Sequence, residues 1–496
     1  MAGIKSLVKD TVIYGASSIV GRFLNWCLVP LYTIMFAAAE YGVVTFVYSV
    51  VALTLIILTY GMETGFFRFA NHERWSDPME VYSTTLISLA TTSLLFVIAV
   101  ATFLQPISEV MECAGNPSYV MMMAACVAID AFIAIPYSYL RFRNRPMRFA
   151  ALRLVNIGLN IGLNLFFILL CPKLMDVAPM LVDWFYNPAF GVGYIFLANL
   201  IASVVNLMMM TPELRGFNYR FNLKLWKEML RYSAPLLIFG IAGIMNQNID
   251  KILYPWLAGN SSAAMAELGI YGANYKIAIV MVMFIQAFRF AYEPFIFSRG
   301  KEQGTDKLKV YGDAMKYFII FALLLFLGVM FYIDILKYFI SPAYFSGLKV
   351  VPIIMLAELF VGITFNLSLW YKLTDKTIWG AWLSLGGLVI TLTLNIMLVP
   401  RIGYMGCAWA ALCSYGSMMV ASYLLGRVKY PIAYDTRRIL LYFIIAAVLY
   451  VIGMYCLPFA PIINGVIRFF ILTAFVIIVV RKESIPLPGP LKRLNS

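Results

Sequence analysis

Apolar residues run along this chain in long stretches, each broken by only a few polar positions and closed by a short polar connection. About fourteen stretches, each roughly 18–25 residues long, lie between Thr11 and Val480. A run of about 20 apolar residues, rising 1.5 Å per residue, matches the hydrocarbon thickness of a bilayer. Lipid offers the backbone no hydrogen-bond partners, so each run must close its own bonds as a helix. The predicted segments are 11–35, 41–66, 81–105, 117–140, 150–171, 188–211, 233–257, 269–297, 314–340, 350–371, 377–399, 403–426, 439–457 and 461–480. No connection between them is long enough to fold as a separate soluble domain. The pattern therefore predicts an all-α polytopic membrane protein.

Composition agrees: 62% of residues are hydrophobic and 12% charged, against roughly a quarter charged in a soluble domain. The net charge of +14 acquires its meaning from placement. Lys and Arg gather at the N-terminus and in every second loop, as at Arg141, Arg143, Arg145, Arg148, Arg215, Arg220, Arg427, Lys429, Arg437 and Arg438. Lys173 and Arg401 are the main exceptions. The positive-inside rule then sets both termini in the cytoplasm and requires an even number of spans. The excess charge is a topology signal and implies no nucleic-acid partner.

Seven cysteines give no disulfide framework. Cys27, Cys126, Cys407 and Cys413 fall within predicted spans, while pairing of Cys113 with Cys171, both near the outer face, stays open without being expected. The first apolar run contains Arg22 and Pro30 and lacks a small-residue cleavage site, so it reads as a retained span. No G-x-x-x-x-G-K-[ST] phosphate loop occurs, which argues against ATP hydrolysis. The single histidine, His72, lies in a loop beside Glu73 and Arg74. With no metal-ligand cluster and no nucleophile–base arrangement, neither an enzyme nor a cofactor or metal site is expected.

The two halves carry similar motifs. Glu40-Tyr41-Gly42 opens the second segment and Ile270-Tyr271-Gly272 lies at the start of the eighth. Leu163-Asn164-Leu165 in the fifth is matched by Leu394-Asn395-Ile396 in the eleventh. This predicts two pseudo-symmetric six-helix lobes around a central cavity, residues 1–211 and 212–426, followed by a helical pair and tail over 427–496. In duplicated membrane bundles the binding site lies near the midplane, between the repeats.

Polar residues inside the spans mark candidate sites. An ionisable group at the bilayer centre costs at least about 2.5–3.5 kcal/mol, so it faces a cavity or a partner. Arg22 is the clearest case. Asp130, Asp250, Lys276, Arg289 and Glu358 follow, with Asp250 and Lys276, or Arg289 and Glu293, as alternative internal pairs. Arg153, Asn156, Asn160 and Asn164 share one helix face at three- and four-residue spacing; they serve either helix–helix hydrogen bonding or a wet wall. Gly15, Ser17, Ser18 and Gly21 form a small-residue face beside Arg22, for close packing or for a head group.

Lys9-Asp10-Thr11-Val12-Ile13-Tyr14-Gly15 through Gly21-Arg22 and Val29-Pro30-Leu31-Tyr32 resembles the start of bacterial polysaccharide flippases. These are the Wzx-type members of the multidrug/oligosaccharidyl-lipid/polysaccharide exporter superfamily. Gly269-Ile270-Tyr271-Gly272-Ala273-Asn274-Tyr275-Lys276, Ala291-Tyr292-Glu293-Pro294-Phe295 and Asn395 to Gly403 fit the same family. The resemblance implies twelve core helices in two lobes plus two more. It also implies passage of an undecaprenyl-pyrophosphate-linked oligosaccharide from the inner to the outer leaflet of the cytoplasmic membrane, for O-antigen of lipopolysaccharide, capsule or exopolysaccharide. Arg22 and Lys276 match the family's basic cavity, although buried charge in this sequence is mixed rather than mainly basic. With Asn156, Asn160, Asn164 and Arg289 they form the expected substrate site. Asp250, Asp130 and Glu358 are the expected coupling groups for H⁺ or Na⁺, and the polysaccharide polymerase and chain-length machinery are the expected partners. A drug/cation antiporter of the same superfamily is the rival reading; a lipid II flippase or a membrane-embedded polysaccharide enzyme is further off.

Overall fold

A computed structural model describes residues 15, 19–71, 77–215, 219–259, 262–299, 306–374, 376–457 and 460–483. Lys9 to Tyr14, Ser17, Ser18 and His72 lie outside the described residues, as does the side chain of Glu293. The described chain is helical and, within those residues, contains no strand.

Among the described residues, twelve helices are long and apolar enough to cross a membrane, and two shorter apolar helices accompany them. In chain order they are α1 (Ile19–Met35), α2 (Ala38–Ala70), α3 (Pro78–Thr102), α4 (Pro117–Phe142), α5 (Pro146–Val177), α6 (Gly193–Met209), α7 (Leu223–Leu257) and α8 (Ser262–Arg299). Then come α9 (Asp306–Phe331), α10 (Pro342–Leu373), α11 (Ile378–Ile402), α12 (Tyr404–Lys429), α13 (Thr436–Tyr455) and α14 (Pro461–Glu483). Each falls on one predicted apolar segment. Over the described residues, α1 and α6 are the two short ones.

Local chemistry fixes the ends. Proline occupies the first turn of α3, α4 and α5, where its missing N–H would have no helical partner anyway. Asp77 and Asn222 cap α3 and α7 by accepting backbone N–H bonds from Met79 and from Lys224 and Leu225. α2 turns sharply at Tyr60 and Gly61, both with positive φ.

Below, the inner end of the bundle is the end at which α1 begins, and the outer end is the opposite one. α3 to α6 pack on one another, and α10, α11 and α12 form a second group with α7 against α11. α2 and α8 join the groups across the middle. The first turns of α7 lie on α2 and α3 instead: Trp226 donates to Ser88 at 2.7 Å and Ser233 Oγ to the Gly61 carbonyl at 3.3 Å. α13 and α14 dock on α9. Large apolar side chains stand exposed on outward faces, including Leu94 and Leu95 of α3, Val389 of α11, Val448 of α13 and Phe470 of α14. Their exposure fits contact with lipid. Cys113 and Cys171 are both free.

Candidate functional site: a basic cavity between α1, α2, α7 and α8

Helix α1 brings Arg22 and Asn25 to the wall of a cavity of about 500 Å³. α8 contributes Lys276, Gln286 and Arg289, α7 contributes Gln247, Asn248 and Lys251, and α10 contributes Glu358. Asn160 of α5, Asn199 of α6 and Tyr48 of α2 complete the lining. Arg22, Lys276, Arg289 and Asn160, singled out from sequence on three separate helices, thus share one chamber. Among the described residues, the Arg22 guanidinium and the Lys276 ammonium have no hydrogen-bonding or ionic partner, so their donors point into free volume. Arg289 lies over the Phe365 ring at 4.4 Å.

α1 is seated by contacts on both sides. Trp26, one turn beyond Arg22, donates its indole N–H to the Lys276 carbonyl at 2.7 Å and stacks on Phe339 with ring centroids 4.0 Å apart. Two glycines, Gly21 in α1 and Gly15 before it, are closely packed. A Cβ on Gly15 would stand 2.7 Å from the Phe290 ring, and one on Gly21 would stand 2.4 Å from Ile157.

The amide stripe of α5 divides. Asn160 lines the cavity and donates weakly to Asn199 Oδ1 at 3.5 Å, while Asn199 donates to Tyr48 Oη at 2.6 Å. Asn164 is fully buried; it accepts from Tyr32 Oη at 2.9 Å and donates to Asn160. Asn156 is half-buried and is not brought to the cavity wall. Arg153 sits over the Tyr137 ring at 4.4 Å. Four residues on one helix face therefore have four different surroundings, because the face is wider than the chamber it borders.

The carboxylates also separate. Asp130 lies among α4 and α6 side chains, accepting from Ser203 Oγ at 2.9 Å, away from the chamber. Asp250 is buried; its partner is Lys251, at 3.1 Å and 3.3 Å, together with Tyr271 Oη at 2.7 Å. The alternative pairing of Asp250 with Lys276 is not made, because Lys251 folds back along its own helix, also donating to the Gln247 carbonyl at 2.9 Å. Glu358 accepts from Tyr275 Oη at 2.6 Å and alone of the three borders the chamber. The charge of the cavity is thus mainly basic, unlike that of the buried residues as a whole: Arg22, Lys251, Lys276 and Arg289 face one carboxylate. Glu63, near the inner end, pairs with Arg141 at 3.2 Å.

Asn25, Tyr48, Asn199 and Gln247 were missed by the sequence reading. Asn25, Tyr48 and Asn199 are neutral polar residues in apolar helices, and Gln247 stands between Asn246 and Asn248; neither signal separates cavity walls from ordinary interhelical hydrogen bonds.

Toward the outer end the helices are joined. Tyr344 of α10 donates to the Phe36 carbonyl at 2.9 Å and meets Tyr41 edge-on, and the Ser341 N–H donates to Thr33 Oγ1 at 3.3 Å. α2 and α8 cross in backbone contact at Gly42 and Gly269.

Residues 7–298 match the sequence profile of the family described as "Polysaccharide biosynthesis protein". The chain belongs to that family. None of the curated proteins matches it. Among solved structures it is similar to a lipid II flippase, MurJ, in an inward closed conformation, with a TM-score of 0.71 at 14% identity, covering 96% of this chain and 99% of that one. It is also similar to a multidrug resistance MATE family transporter of the MOP superfamily in an inward-facing conformation, with a TM-score of 0.64 at 14% identity over 82% of this chain and 94% of that one. An outward-facing MATE transporter gives 0.57 at 14% identity, over 86% and 98%. At such identities the likeness establishes the fold: this polysaccharide biosynthesis protein is a multi-pass membrane protein with the architecture of MOP-superfamily transporters.

Proposed function

We propose that this polysaccharide biosynthesis protein is a flippase. It moves a polyprenyl-pyrophosphate-linked oligosaccharide from the inner to the outer leaflet of the cytoplasmic membrane, with both termini in the cytoplasm. The charge of the chamber carries this reading. A pyrophosphate cannot enter about 30 Å of hydrocarbon without losing its hydration. Unpaired Arg22 and Lys276 donors replace that water with charge-assisted hydrogen bonds, each worth about 1.5–3 kcal/mol. Arg289 adds a third positive charge. The amides Asn25, Asn160, Asn199, Asn248 and Gln286 suit sugar hydroxyls, and the polyprenyl tail remains in lipid.

Residues 1–211 and 212–426 act as the two rocking lobes around this site, the joined outer ends parting to release cargo. Glu358, on the chamber wall, takes up the coupling proton or Na⁺, with Asp250 behind it; Asp130 is the more remote candidate. O-antigen, capsule and exopolysaccharide units all fit this chemistry, as does hand-over to a polymerase and its chain-length machinery. A cation/drug antiporter is disfavoured, because a cationic drug would meet several positive charges and one carboxylate.

The test is export of surface polysaccharide in cells relying on an introduced copy of this gene. Arg22→Ala and Lys276→Ala are expected to abolish export with normal membrane insertion, and Arg22→Lys to keep part of it. Wild-type export by both alanine variants would overturn the reading. Efflux of an organic cation by reconstituted protein, with no movement of a fluorescent polyprenyl-pyrophosphate glycan, would replace it with the antiporter.

A further inference from the structure

Behind Glu358 the chain holds a second, smaller cavity that borders the basic chamber and shares Gln247 and Val361 with it. A cavity of about 230 Å³ lies between α7, α10, α11 and α12. Its walls run from Asn246 and Tyr415 near mid-helix to Ser368 and Lys372 at the inner end of α10. Ser384, in the first turns of α11, marks the same inner direction. At its deep end Asn246 and Tyr415 are shared with a pocket of about 10 Å³, water-sized, whose other walls include Asp250, Glu358 and Thr391. Glu358 and Tyr275 are shared in turn between that pocket and the basic chamber. Gln247 borders all three spaces.

The walls are mixed, and the polar groups among them are held in place. Asn246 donates to the Ser384 carbonyl at 2.8 Å and accepts from Thr391 Oγ1 at 3.0 Å, while Tyr415 Oη donates to the Asn246 carbonyl at 2.9 Å. Such groups at fixed positions suit a short file of water. The charged and titratable groups facing Glu358 are Asp250 and Lys251 on α7, Tyr275 on α8, and Tyr415 and Cys407 on α12. Lys276 and Arg22 stand across the chamber. Lys251 is already matched by Asp250, so Glu358 is the carboxylate placed between the two routes.

We propose that this side cavity is a water-filled proton route linking Glu358 to the cytoplasmic side, open even when cargo fills the basic chamber. A proton leaves hydronium in the side cavity, crosses the Asn246–Gln247–Tyr415 constriction on water, and adds to a Glu358 carboxylate oxygen; the reverse path releases it. The inference rests on Glu358 being a coupling group, and adds the path by which its proton travels.

Gly243 supplies the plug. It lines the side cavity, and a Cβ built on it meets no atom within 4 Å. Gly243→Leu therefore fills the passage without a backbone clash. Ile279→Trp fills the basic chamber, whose wall includes Ile279. Reconstituted full-length protein in Na⁺-free choline buffer is followed by infrared spectroscopy, reading hydrogen–deuterium exchange of the protonated carboxyl band that Glu358→Gln removes. Each filling variant alone is expected to exchange near the wild-type rate. The double variant is expected to slow about tenfold or more, about 1.4 kcal/mol on the exchange barrier. If Ile279→Trp alone slows exchange as much as the pair, or if the pair exchanges at the wild-type rate, the side route is wrong. A band that Na⁺ replaces at constant pH would make the site a Na⁺ site and overturn the proton route. If Glu358→Gln removes no band, the coupling assignment itself fails, distinguishably from the route.

Discussion

Gly42 of α2 and Gly269 of α8 meet where the two helices cross. A Cβ on Gly42 would lie 1.9 Å from the Met265 carbonyl oxygen, and one on Gly269 would lie 1.9 Å from that of Ala38. The backbones touch because neither residue has a side chain, the small-residue packing by which membrane helices approach most closely. The contact joins the outer ends of the two halves. Three residues on, a Cβ at Gly272 would press on Thr45 Oγ1 at 2.5 Å, so the crossing continues along α8.

Gly269→Ala is therefore expected to push the helices apart at that end. Overpacking of a tight contact costs about 1–3 kcal/mol, here charged to the outer-closed state alone. The variant should label faster than wild type at a cysteine introduced at Tyr41 when a membrane-impermeant thiol reagent is added outside. Unchanged labelling would mean that the crossing does not hold the outer end shut.

Asn160 and Asn164 are one turn apart and should behave differently. Asn160→Asp places a negative charge on the chamber wall that Arg22 also lines, so binding of inorganic pyrophosphate should weaken while thermal stability in detergent changes little. Asn164→Leu removes the acceptor of the buried Tyr32 hydroxyl and the donor to Asn160. Its expected effect is a stability loss of about 1–3 kcal/mol, with affinity changed only in proportion to the protein lost. Equal effects from both would contradict the division of this helix face.

Asp250 and Lys251 form a buried ion pair, each side chain less than a tenth exposed. Removing one partner strands the other charge, at a cost of about 3–5 kcal/mol, whereas removing both avoids that penalty. Asp250→Asn and Lys251→Met should each lower the melting temperature more than the double variant does. Additive losses in a double-mutant cycle would show that the pair is not coupled.

The fold was legible because lipid imposes one rule on every span: about 20 apolar residues closing their own hydrogen bonds. Even α6, with its 17 residues, stood out as an apolar run. Tyr41-Gly42 and Tyr271-Gly272 stood out as similar motifs, although their spacing carried no hint that the two helices touch at Gly42 and Gly269. Arg22 and Lys276 were legible because a charge among apolar neighbours needs a reason. Which charges share a chamber was not, since depth along a helix says nothing of the direction in which a side chain points. Lys251 and Lys276 both line the chamber, yet Lys251 is paired with its neighbour Asp250 and Lys276 is not. Arg468 of α14 shows the same limit, for its role depends on a partner 134 residues away.

Arg468 is 8% exposed and donates to three acceptors: the Gly453 carbonyl at 2.9 Å, the Phe331 carbonyl at 2.9 Å and Asp334 at 3.0 Å. It thereby fastens the outer end of α14 to α9 and α13, while Glu483 fastens the inner end through Lys316 at 2.6 Å and Tyr442 at 2.7 Å. Arg468→Ala leaves two carbonyls without this donor and should cost about 1–3 kcal/mol for each that stays dry. Asp334 is half-exposed, so water screens its ion pair. The hydrogen bond from Arg468 holds its carboxyl below the usual carboxylate range. A lowered folded-state value makes the ionised pair stabilising above the ordinary aspartate value of about 3.9. That contribution fades as pH falls from there through the folded-state value. Melting temperatures in detergent should therefore show no change from this pair between neutrality and pH of about 5, then a decline in wild type that Asp334→Asn lacks. If Arg468→Ala melts like wild type, or if Asp334→Asn declines in parallel with it below that range, the outer fastening of α14 does not depend on this arginine and its carboxylate.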